Sequence, residues 1–194
     1  MSPASVLPMK KNSAGAKETL KRILIEKSYL RDGHYTLSSG ETSNVFFDVK
    51  MTSLDPLGAN LAAELMLEKL EGHDITAIGG LALGACPIIS ALCVKSHDHE
   101  NSFSFFYVRK EKKSHGTGKD IEGATLKKQD KVAIVDDVAT KGGSILEAIR
   151  HVNLIGCEIV KILVIVDREQ GAGEALAKEG YTLESIFTRS ELEK

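Results

Sequence analysis

The stretch that decides the fold is Val132-Ala133-Ile134-Val135-Asp136-Asp137-Val138-Ala139-Thr140-Lys141-Gly142-Gly143-Ser144. Its first four residues are apolar and lead directly into two adjacent carboxylates, followed by a threonine, two glycines and a serine suited to begin a helix. Glycines let the backbone approach a ligand closely, and the N–H groups at the start of a helix attract anions. The stretch therefore predicts a strand, a ligand-binding loop and a helix in succession.

The segments on both sides of this stretch alternate between strand and helix patterns. Helices are predicted over 17–30, 57–70, 85–94, 144–154 and 174–179, and strands over 46–49, 75–78, 103–108, 131–135, 159–166 and 182–187. This alternation is typical of an α/β fold with a mostly parallel sheet flanked by helices. Because ligands bind beyond the carboxyl ends of parallel strands, the loops 79–84, 109–123, 136–144 and 167–173 are expected to form one site.

The composition is that of an ordinary globular protein and narrows the choice of partners. The chain has 194 residues, 42% of them apolar and 27% charged, which suits one domain with a substantial core. A formal net charge of −2 gives no reason to expect nucleic-acid binding by bulk attraction. Residues 1–16 are expected to form a loose N-terminal tail, and residues 17–194 a single domain.

Cysteine usage and hydropathy predict a cytoplasmic protein. Cys86, Cys93 and Cys157 show no Cys-x-x-Cys or Cys/His spacing, so a zinc site is not expected and buried free thiols are predicted. The apolar runs are too short to span a bilayer, so no membrane association is expected. The first 16 residues lack the continuous apolar stretch of a signal peptide.

The adjacent carboxylates Asp136 and Asp137 need an explanation, since by themselves they would repel a phosphate. They can bind ribose hydroxyls, coordinate a Mg²⁺ that bridges to a diphosphate, or stabilise a cationic sugar. In a purely structural interpretation they cap the next helix while the glycines form a tight turn. That interpretation accounts for one Asp and one Gly but poorly for the whole run, so a functional role is preferred. The chain has neither a Walker loop nor a Gly-x-Gly-x-x-Gly after a strand.

A second segment is basic and runs Tyr107-Val108-Arg109-Lys110-Glu111-Lys112-Lys113-Ser114-His115-Gly116-Thr117-Gly118. Four cations and one histidine accompany a single acidic residue in it, so the loop is expected to stay open until a polyanion gathers it. Most charge runs are solvated surface loops, which is the alternative. The position of Arg109 and Lys110 at a strand end and the glycines that follow favour a functional role.

These two segments resemble those of a known family. The run 132–144 resembles the phosphoribosyl diphosphate (PRPP) loop of type I phosphoribosyltransferases. The basic segment is similar to the catalytic loop of the orotate phosphoribosyltransferase family, whose pattern is Arg-Lys-x-x-Lys-x-His-Gly-x-Gly. Arg109, Lys110, Lys113 and His115 match that pattern position by position. The likeness extends from about residue 17 to about residue 187, and implies a small N-terminal hood over about 17–55 and a core over about 56–194.

The resemblance implies an activity and assigns its residues. It implies transfer of the phosphoribosyl group from PRPP to orotate, giving orotidine 5′-monophosphate and diphosphate, in the de novo synthesis of UMP. The implied catalytic residues are Lys113, His115, Asp136 and Asp137. The implied PRPP-binding residues are Arg109, Lys110, Lys113, His115, Asp136, Asp137, Val138, Ala139, Thr140, Lys141, Gly142, Gly143 and Ser144. Mg²⁺ is the implied cofactor, bound mainly through the diphosphate and ribose, with Asp136 as a candidate water-mediated ligand.

The acceptor base and the assembly follow from the same resemblance. Arg168 and Thr140 are assigned to orotate, and Phe46 or Phe47 to stacking on its ring. From the residues alone, Arg168 could equally form a surface ion pair with Asp167 or Glu169, and the phenylalanines could be core residues. A homodimer is implied, with the 109–118 loop shared across its interface.

The chain departs from the family pattern at two positions. Many members carry Lys where Ser38 and Leu83 stand, so side-chain chemistry at 38 is in doubt and diphosphate contacts of the 79–84 turn are expected to be through backbone alone. Two rival functions are a phosphoribosyltransferase acting on a purine base and a regulatory protein that senses PRPP while binding nucleic acid. The match of the basic loop disfavours the first, and the absence of a net basic charge disfavours the second.

Overall fold

A computed structural model of the chain describes residues 13–30, 33, 35–36, 42–43, 46–97, 103–110 and 120–194. Its first helix, α1 (Ser13–Ile23), begins within the segment expected to be a tail and continues into a π-helical turn (Leu24–Ser28). Four short strands follow, namely β1 (Tyr29–Leu30), β2 (Tyr35–Thr36), β3 (Thr42–Ser43) and β4 (Phe46–Phe47). The helix predicted over 17–30 is wrong at its end, because Tyr29 and Leu30 pair with β4.

The next two helices lead from these strands to the main sheet. They are α2 (Lys50–Ser53) and α3 (Pro56–Leu70). The Asp55 carboxylate caps α3 by accepting a 2.9 Å hydrogen bond from the Gly58 N–H, and Pro56 occupies the first turn, where a missing N–H costs nothing. This helix confirms the prediction over 57–70.

Strands and helices then alternate to the end of the chain. In order they are β5 (Ala77–Leu81), α4 (Cys86–Ser96), β6 (Ser104–Val108), β7 (Ile121–Gly123), β8 (Lys131–Ala139), α5 (Gly143–Ile155), β9 (Glu158–Asp167), α6 (Ala172–Lys178), β10 (Leu183–Thr188) and α7 (Arg189–Leu192). Among the described residues, β5 to β10 form one six-stranded sheet in the order β10-β9-β8-β5-β6-β7. All its pairings are parallel except that of β6 with β7, which confirms the predicted mostly parallel sheet.

The strand order places a switch point between β5 and β8. From β5 the chain moves toward β6, whereas from β8 it moves the other way toward β9 and β10. The connections therefore leave the carboxyl ends of β5 and β8 in opposite directions and open a crevice between them, which is where α/β sheets bind ligands.

Strand β8 differs from its prediction. It was expected to end at Val135, but it continues to Ala139, with Asp136 paired to Val164 and Val138 to Val166 of β9. The paired carboxylates therefore lie on a strand held by its neighbour rather than in a free loop.

Two apolar clusters cover the two faces of the sheet. One contains Leu20 and Met66 with Val135 of β8, and the other contains Ile145 and Ile134. Adjacent residues of β8 thus point to opposite faces, as a strand buried on both sides requires.

The cysteines differ in exposure. Cys157 is buried as predicted, but Cys86 is half-buried and Cys93 is exposed, so the prediction is wrong for Cys93, which lies on the outer face of α4. Within the described part of the chain, no helix has the length and apolar character needed to cross a membrane.

Candidate active site

Asp136 and Asp137 lie beside the switch point, and both side chains are buried. Asp136 accepts a 3.0 Å hydrogen bond from the Asp137 N–H through Oδ1 and another of 3.0 Å from the Ser144 hydroxyl through Oδ2. Oδ2 of Asp137 is buried and has no hydrogen-bond partner among the described residues. The residue that precedes α5 is Gly142, so Asp136 contacts that helix through a hydroxyl and not as its N-cap.

Burial makes it unfavourable for both carboxyl groups of this pair to be ionised at once. The pKa of Asp136 rises from 3.8 to about 7, first because of burial and second because of the charge of Asp137, while the Ser144 hydroxyl opposes the rise. Burial also raises the pKa of Asp137 to about 6, against the positive charge of Lys50. Adjacent carboxyls release their protons as a pair. A ligand that donates hydroxyl hydrogen bonds, or that develops a positive charge beside them, would favour their ionised form and would itself be stabilised by it.

The loop after β8 leads into the start of α5, where backbone N–H groups are available to an anion. Thr140, Lys141 and Gly142 connect the strand to α5, whose first N–H groups have no acceptor within the helix. Gly142 has φ +80°, a left-handed conformation that favours glycine. A Cβ on Gly143 would meet no atom of the described residues within 4 Å, so a ligand has room against the backbone here.

The turn between β5 and α4 closes the other side of the carboxylate pair. A Cβ added to Gly84 would lie 3.1 Å from Oδ1 of Asp136 and 3.3 Å from Oδ1 of Asp137. Leu83 of this turn points away, with 77% of its surface exposed. The Ala82 N–H donates a 2.8 Å hydrogen bond to the Val108 carbonyl, which joins the turn to the end of β6.

Arg168 lies next to the carboxyl-terminal end of β8. Its N–H donates a 2.9 Å hydrogen bond to the Ala139 carbonyl, and its side chain is only 8% exposed. Its guanidinium carbon lies 5.9 Å from the centre of the Phe47 ring, and its Nε has no hydrogen-bond partner within the described residues. Burial, and then the charge of Arg189, lower the pKa of Arg168. A buried guanidinium with an unused donor is suited to a carboxylate ligand.

The two carboxylates considered as surface partners of Arg168, those of Asp167 and Glu169, accept hydrogen bonds from other residues. Oδ1 of Asp167 accepts a 2.9 Å hydrogen bond from the Glu169 N–H. The Glu169 carboxylate accepts hydrogen bonds from the N–H and hydroxyl of Ser190. Both carboxylates therefore serve the local backbone and α7.

The aromatic residues of the N-terminal strands form two stacked pairs. Phe47 is buried and stacks on Tyr29 with ring centres 4.5 Å apart, while the half-buried Phe46 stacks on Tyr35 at 5.5 Å. Phe47 is thus a core residue that also borders Arg168. The structure does not place Phe46 in contact with Arg168.

The basic loop is described only at its ends. The Arg109 N–H donates a 2.8 Å hydrogen bond to the Asp120 carbonyl, and Nη1 of Arg109 lies 3.2 Å from Oε1 of Glu122. Lys110 is exposed. Lys113 and His115, like Ser38, lie outside the described residues.

Two residues of the site were not assigned a role from the sequence, namely Asp48 and Lys50. Nζ of Lys50 lies 2.8 Å from Oδ1 of Asp48. The pKa of Lys50 is raised, chiefly by Asp48 and further by the charges of Asp137 and Asp136. The signal available in the sequence is an Asp-x-Lys immediately after an aromatic strand, which is too short to be distinctive.

The donor set fits a divalent cation only in part. Among the described residues, no group of three or more His, Cys, Asp or Glu side chains converges as metal ligands. The orphaned Oδ2 of Asp137 and the neighbouring Asp136 supply hard oxygen ligands of the kind Mg²⁺ prefers. The residues therefore fit a Mg²⁺ that takes most of its ligands from a bound diphosphate and water.

Comparison with known proteins agrees with this geometry. Residues 54–189 match the model of the phosphoribosyl transferase domain. A relative from Pyrococcus furiosus, orotate phosphoribosyltransferase, is 41% identical over 178 residues, which are 91% of this chain and 94% of that protein. Orotate phosphoribosyltransferase of Mycobacterium tuberculosis has a similar structure, with TM-score 0.80 and 32% identity over 91% of this chain and 98% of that one. Its complex with PRPP has TM-score 0.77 and 30% identity, covering 92% and 99% of the two chains.

The fold, the buried carboxylates and the matched domain define a type I phosphoribosyltransferase. Within that class, the chain belongs to the orotate phosphoribosyltransferase family.

Proposed function

We propose that the chain transfers the phosphoribosyl group from PRPP to N1 of orotate, giving orotidine 5′-monophosphate and diphosphate. The observation that carries the proposal is the adjacency of two half-sites. Asp136 and Asp137 lie near the end of β8, and the buried Arg168, whose Nε has no partner among the described residues, directly follows the neighbouring β9. One half-site suits the donor sugar and the other suits a planar carboxylate, which orotate has and a purine base lacks.

The donor is held from its phosphate to its ribose along a single loop. Thr140, Gly142, Gly143, Ser144 and the backbone of Lys141 bind the 5′-phosphate, where the free N–H groups of α5 and the hydroxyls act as donors. Val138 and Ala139 contribute through the backbone that carries this loop.

The carboxylates act on the sugar. Asp136 and Asp137 accept hydrogen bonds from the 2′- and 3′-hydroxyls of the ribose. As the bond from C1 to the diphosphate breaks, C1 gains oxocarbenium character, and the negative charge that the pair carries stabilises it. Buried carboxylates have a stronger effect than solvated ones, because little water screens them.

The leaving diphosphate is neutralised by cations. Arg109, Lys110, Lys113 and His115 surround it when the 109–118 loop closes, which also excludes water as a competing nucleophile. When bound, Mg²⁺ would supply positive charge to the diphosphate, and Asp136 would be a candidate to hold it through water. The reaction needs no covalent nucleophile from the chain.

The acceptor lies between the hood and β9. Arg168 pairs with the orotate carboxylate, and Thr140 contacts the same base from the β8 loop. Phe47 forms the wall beside Arg168, and Phe46 is the second candidate for stacking on the ring.

The assembly is part of the same proposal. The chain acts as a homodimer in which the 109–118 loop of one subunit serves the site of the other. A cytoplasmic location and the division into a hood over about 17–55 and a core over about 56–194 are proposed with it.

One assay separates this function from its rivals. Purified protein is mixed with Mg²⁺, PRPP and orotate, and the loss of orotate's ultraviolet absorbance is followed. Turnover is expected with orotate and not with hypoxanthine or adenine. Turnover with a purine base alone would contradict the proposed acceptor, and PRPP binding without turnover of any base would favour a regulatory protein.

A further inference from the structure

We propose that Lys50 binds an anionic group of the phosphoribosyl donor, as a cation that the hood presents beside the carboxylate pair. This inference rests on the proposed function, because it adds a residue to the same donor site. It concerns a side chain outside the PRPP loop, the basic loop and the base-binding strands.

The backbone before Lys50 is fixed by contacts within the hood. The Asp48 N–H donates a 2.9 Å hydrogen bond to the Ser28 carbonyl, and Lys50 begins α2 directly after Val49, which is fully buried. Phe47, three residues before Lys50, borders Arg168. Lys50 therefore starts from the segment that forms one wall of the acceptor site.

The Lys50 ammonium group forms an ion pair with Asp48 and keeps N–H donors that a ligand can reach. Nζ lies 2.8 Å from Oδ1 of Asp48, while 48% of the Lys50 side chain remains exposed. An ammonium group has three N–H donors, and the ion pair with Asp48 engages at most one of them, which leaves at least two for a ligand.

The charges of the site and of Lys50 act on each other. The positive charge of Lys50 opposes the burial that raises the pKa of Asp137, and Asp137 and Asp136 in turn add to the rise in the pKa of Lys50. Charges influence one another strongly only at short range. The packing carries the same placement, because Val49, next to Lys50, shares one buried apolar cluster with Val135, the residue before Asp136.

Among the described residues, the turn on the other side of the pair contains no cation. The turn from Ala82 to Ala85 approaches the carboxylates through Gly84, and its largest side chain is the exposed Leu83. A diphosphate donor brings several negative charges to a place that already contains two carboxylates. Lys50 supplies a countercharge there.

The test measures donor binding directly. PRPP is titrated calorimetrically into the full-length protein with Mg²⁺ and without orotate, for the wild type, Lys50→Met and Lys50→Arg. Loss of a charged hydrogen bond is expected to weaken PRPP binding of Lys50→Met about tenfold or more, and Lys50→Arg to stay within about threefold of the wild type. At saturating PRPP, the KM for orotate should be unchanged.

The matched control is Lys131→Met. Lys131 also pairs with one aspartate, Asp74, at 2.6 Å, has a similar side-chain exposure of 37%, and lies at the opposite end of β8. It should bind PRPP like the wild type. Thermal melting of all variants shows whether each is folded, and Lys50→Gln is the second substitution if Lys50→Met is not.

A double variant excludes the alternative that Lys50 only neutralises Asp48. If so, Asp48→Asn would restore PRPP binding in the Lys50→Met background, and that result would overturn the proposal. PRPP affinity of Lys50→Met within about threefold of the wild type would also overturn it. Wild-type protein that binds PRPP but does not convert orotate would contradict the proposed reaction alone, and wild-type protein that binds no PRPP would contradict both.

Discussion

The Ser144 hydroxyl donates a 3.0 Å hydrogen bond to Oδ2 of Asp136, joining the first turn of α5 to the end of β8. The two residues are assigned to different parts of the donor, Ser144 to the 5′-phosphate and Asp136 to the ribose. The bond therefore sets the spacing between the phosphate and sugar positions before the donor arrives.

Removing the Ser144 hydroxyl should weaken PRPP binding more than it slows the chemical step. Ser144→Ala is expected to raise the KM for PRPP about 5- to 30-fold, since one hydrogen bond to a charged group is lost, and to lower kcat less. Ser13→Ala is the control, because Ser13 makes a comparable hydroxyl–carboxylate bond of 3.2 Å to Glu68 on the surface. Initial-rate kinetics at varied PRPP decide the question, and an unchanged KM for Ser144→Ala would contradict the assignment.

The carboxylate pair should make the free protein less stable as pH rises. Its folded-state pKa values of about 7 and 6 exceed the ordinary 3.8, so the folded state binds protons more tightly than the unfolded state. That stabilisation is complete below pH 3.8 and is lost as pH rises through about 7.

Asp137→Asn tests this sign. At pH 8 it should increase the free energy of unfolding by about 1 to 2 kcal/mol, because one buried charge is removed, and the gain should shrink at pH 5. The same variant should lose about 100-fold or more in kcat. Urea unfolding at the two pH values is the measurement, and a variant less stable than the wild type at pH 8 would contradict the argument.

Replacing Arg168 should weaken orotate binding and leave PRPP binding nearly unchanged. Arg168→Lys keeps the charge but loses the planar pair of donors, so the KM for orotate should rise about tenfold or more while the affinity for PRPP stays within about threefold. Arg150→Lys, on the exposed face of α5, is the control. An equal loss of affinity for both substrates would show a structural effect instead.

Lys113 should act on turnover and across the subunit interface. Lys113→Ala is expected to reduce kcat about 100-fold with unchanged thermal stability, because it removes positive charge from the leaving diphosphate. A near-normal rate would contradict the role assigned to the loop.

Mixing two inactive variants tests the shared loop. If the loop serves the partner's site, dimers of Lys113→Ala and Asp137→Asn subunits contain one intact site and regain activity, up to about half of the wild-type rate per mixed dimer. If it serves its own subunit, both sites stay defective and mixing restores nothing.

The main architecture could be predicted from the sequence because its patterns are long. The buried strand β9 and the helix α3 are where their long apolar patterns predict them. The extension of β8 through Asp136 and Asp137 could not be predicted, because two carboxylates in a row suggest a loop. Pairing with β9 overrides that local preference.

The sequence predicts candidate site residues where they belong to a motif and misses candidates that depend on contacts across the fold. Asp136, Ser144 and Arg168 stand in recognisable stretches. Lys50 does not, since its proposed role depends on how the segment of Phe47 and Val49 packs near the end of β8, which no spacing along the chain reveals. The antiparallel strand β7 was missed because three residues are too few for a pattern.

The donor half-site after β8 and the acceptor half-site after β9 are joined by direct backbone contacts. The Ala139 carbonyl accepts the hydrogen bond from the Arg168 N–H, and a Cβ on Gly142 would lie 3.4 Å from both Cα and the carbonyl oxygen of Ala172. The loops after β8 and β9 therefore cannot separate without disrupting a packed backbone. An engineer who wishes this scaffold to accept a bulkier base should redesign the hood around Phe46, because enlarging the pocket from the sheet side would displace the sugar donor at the same time.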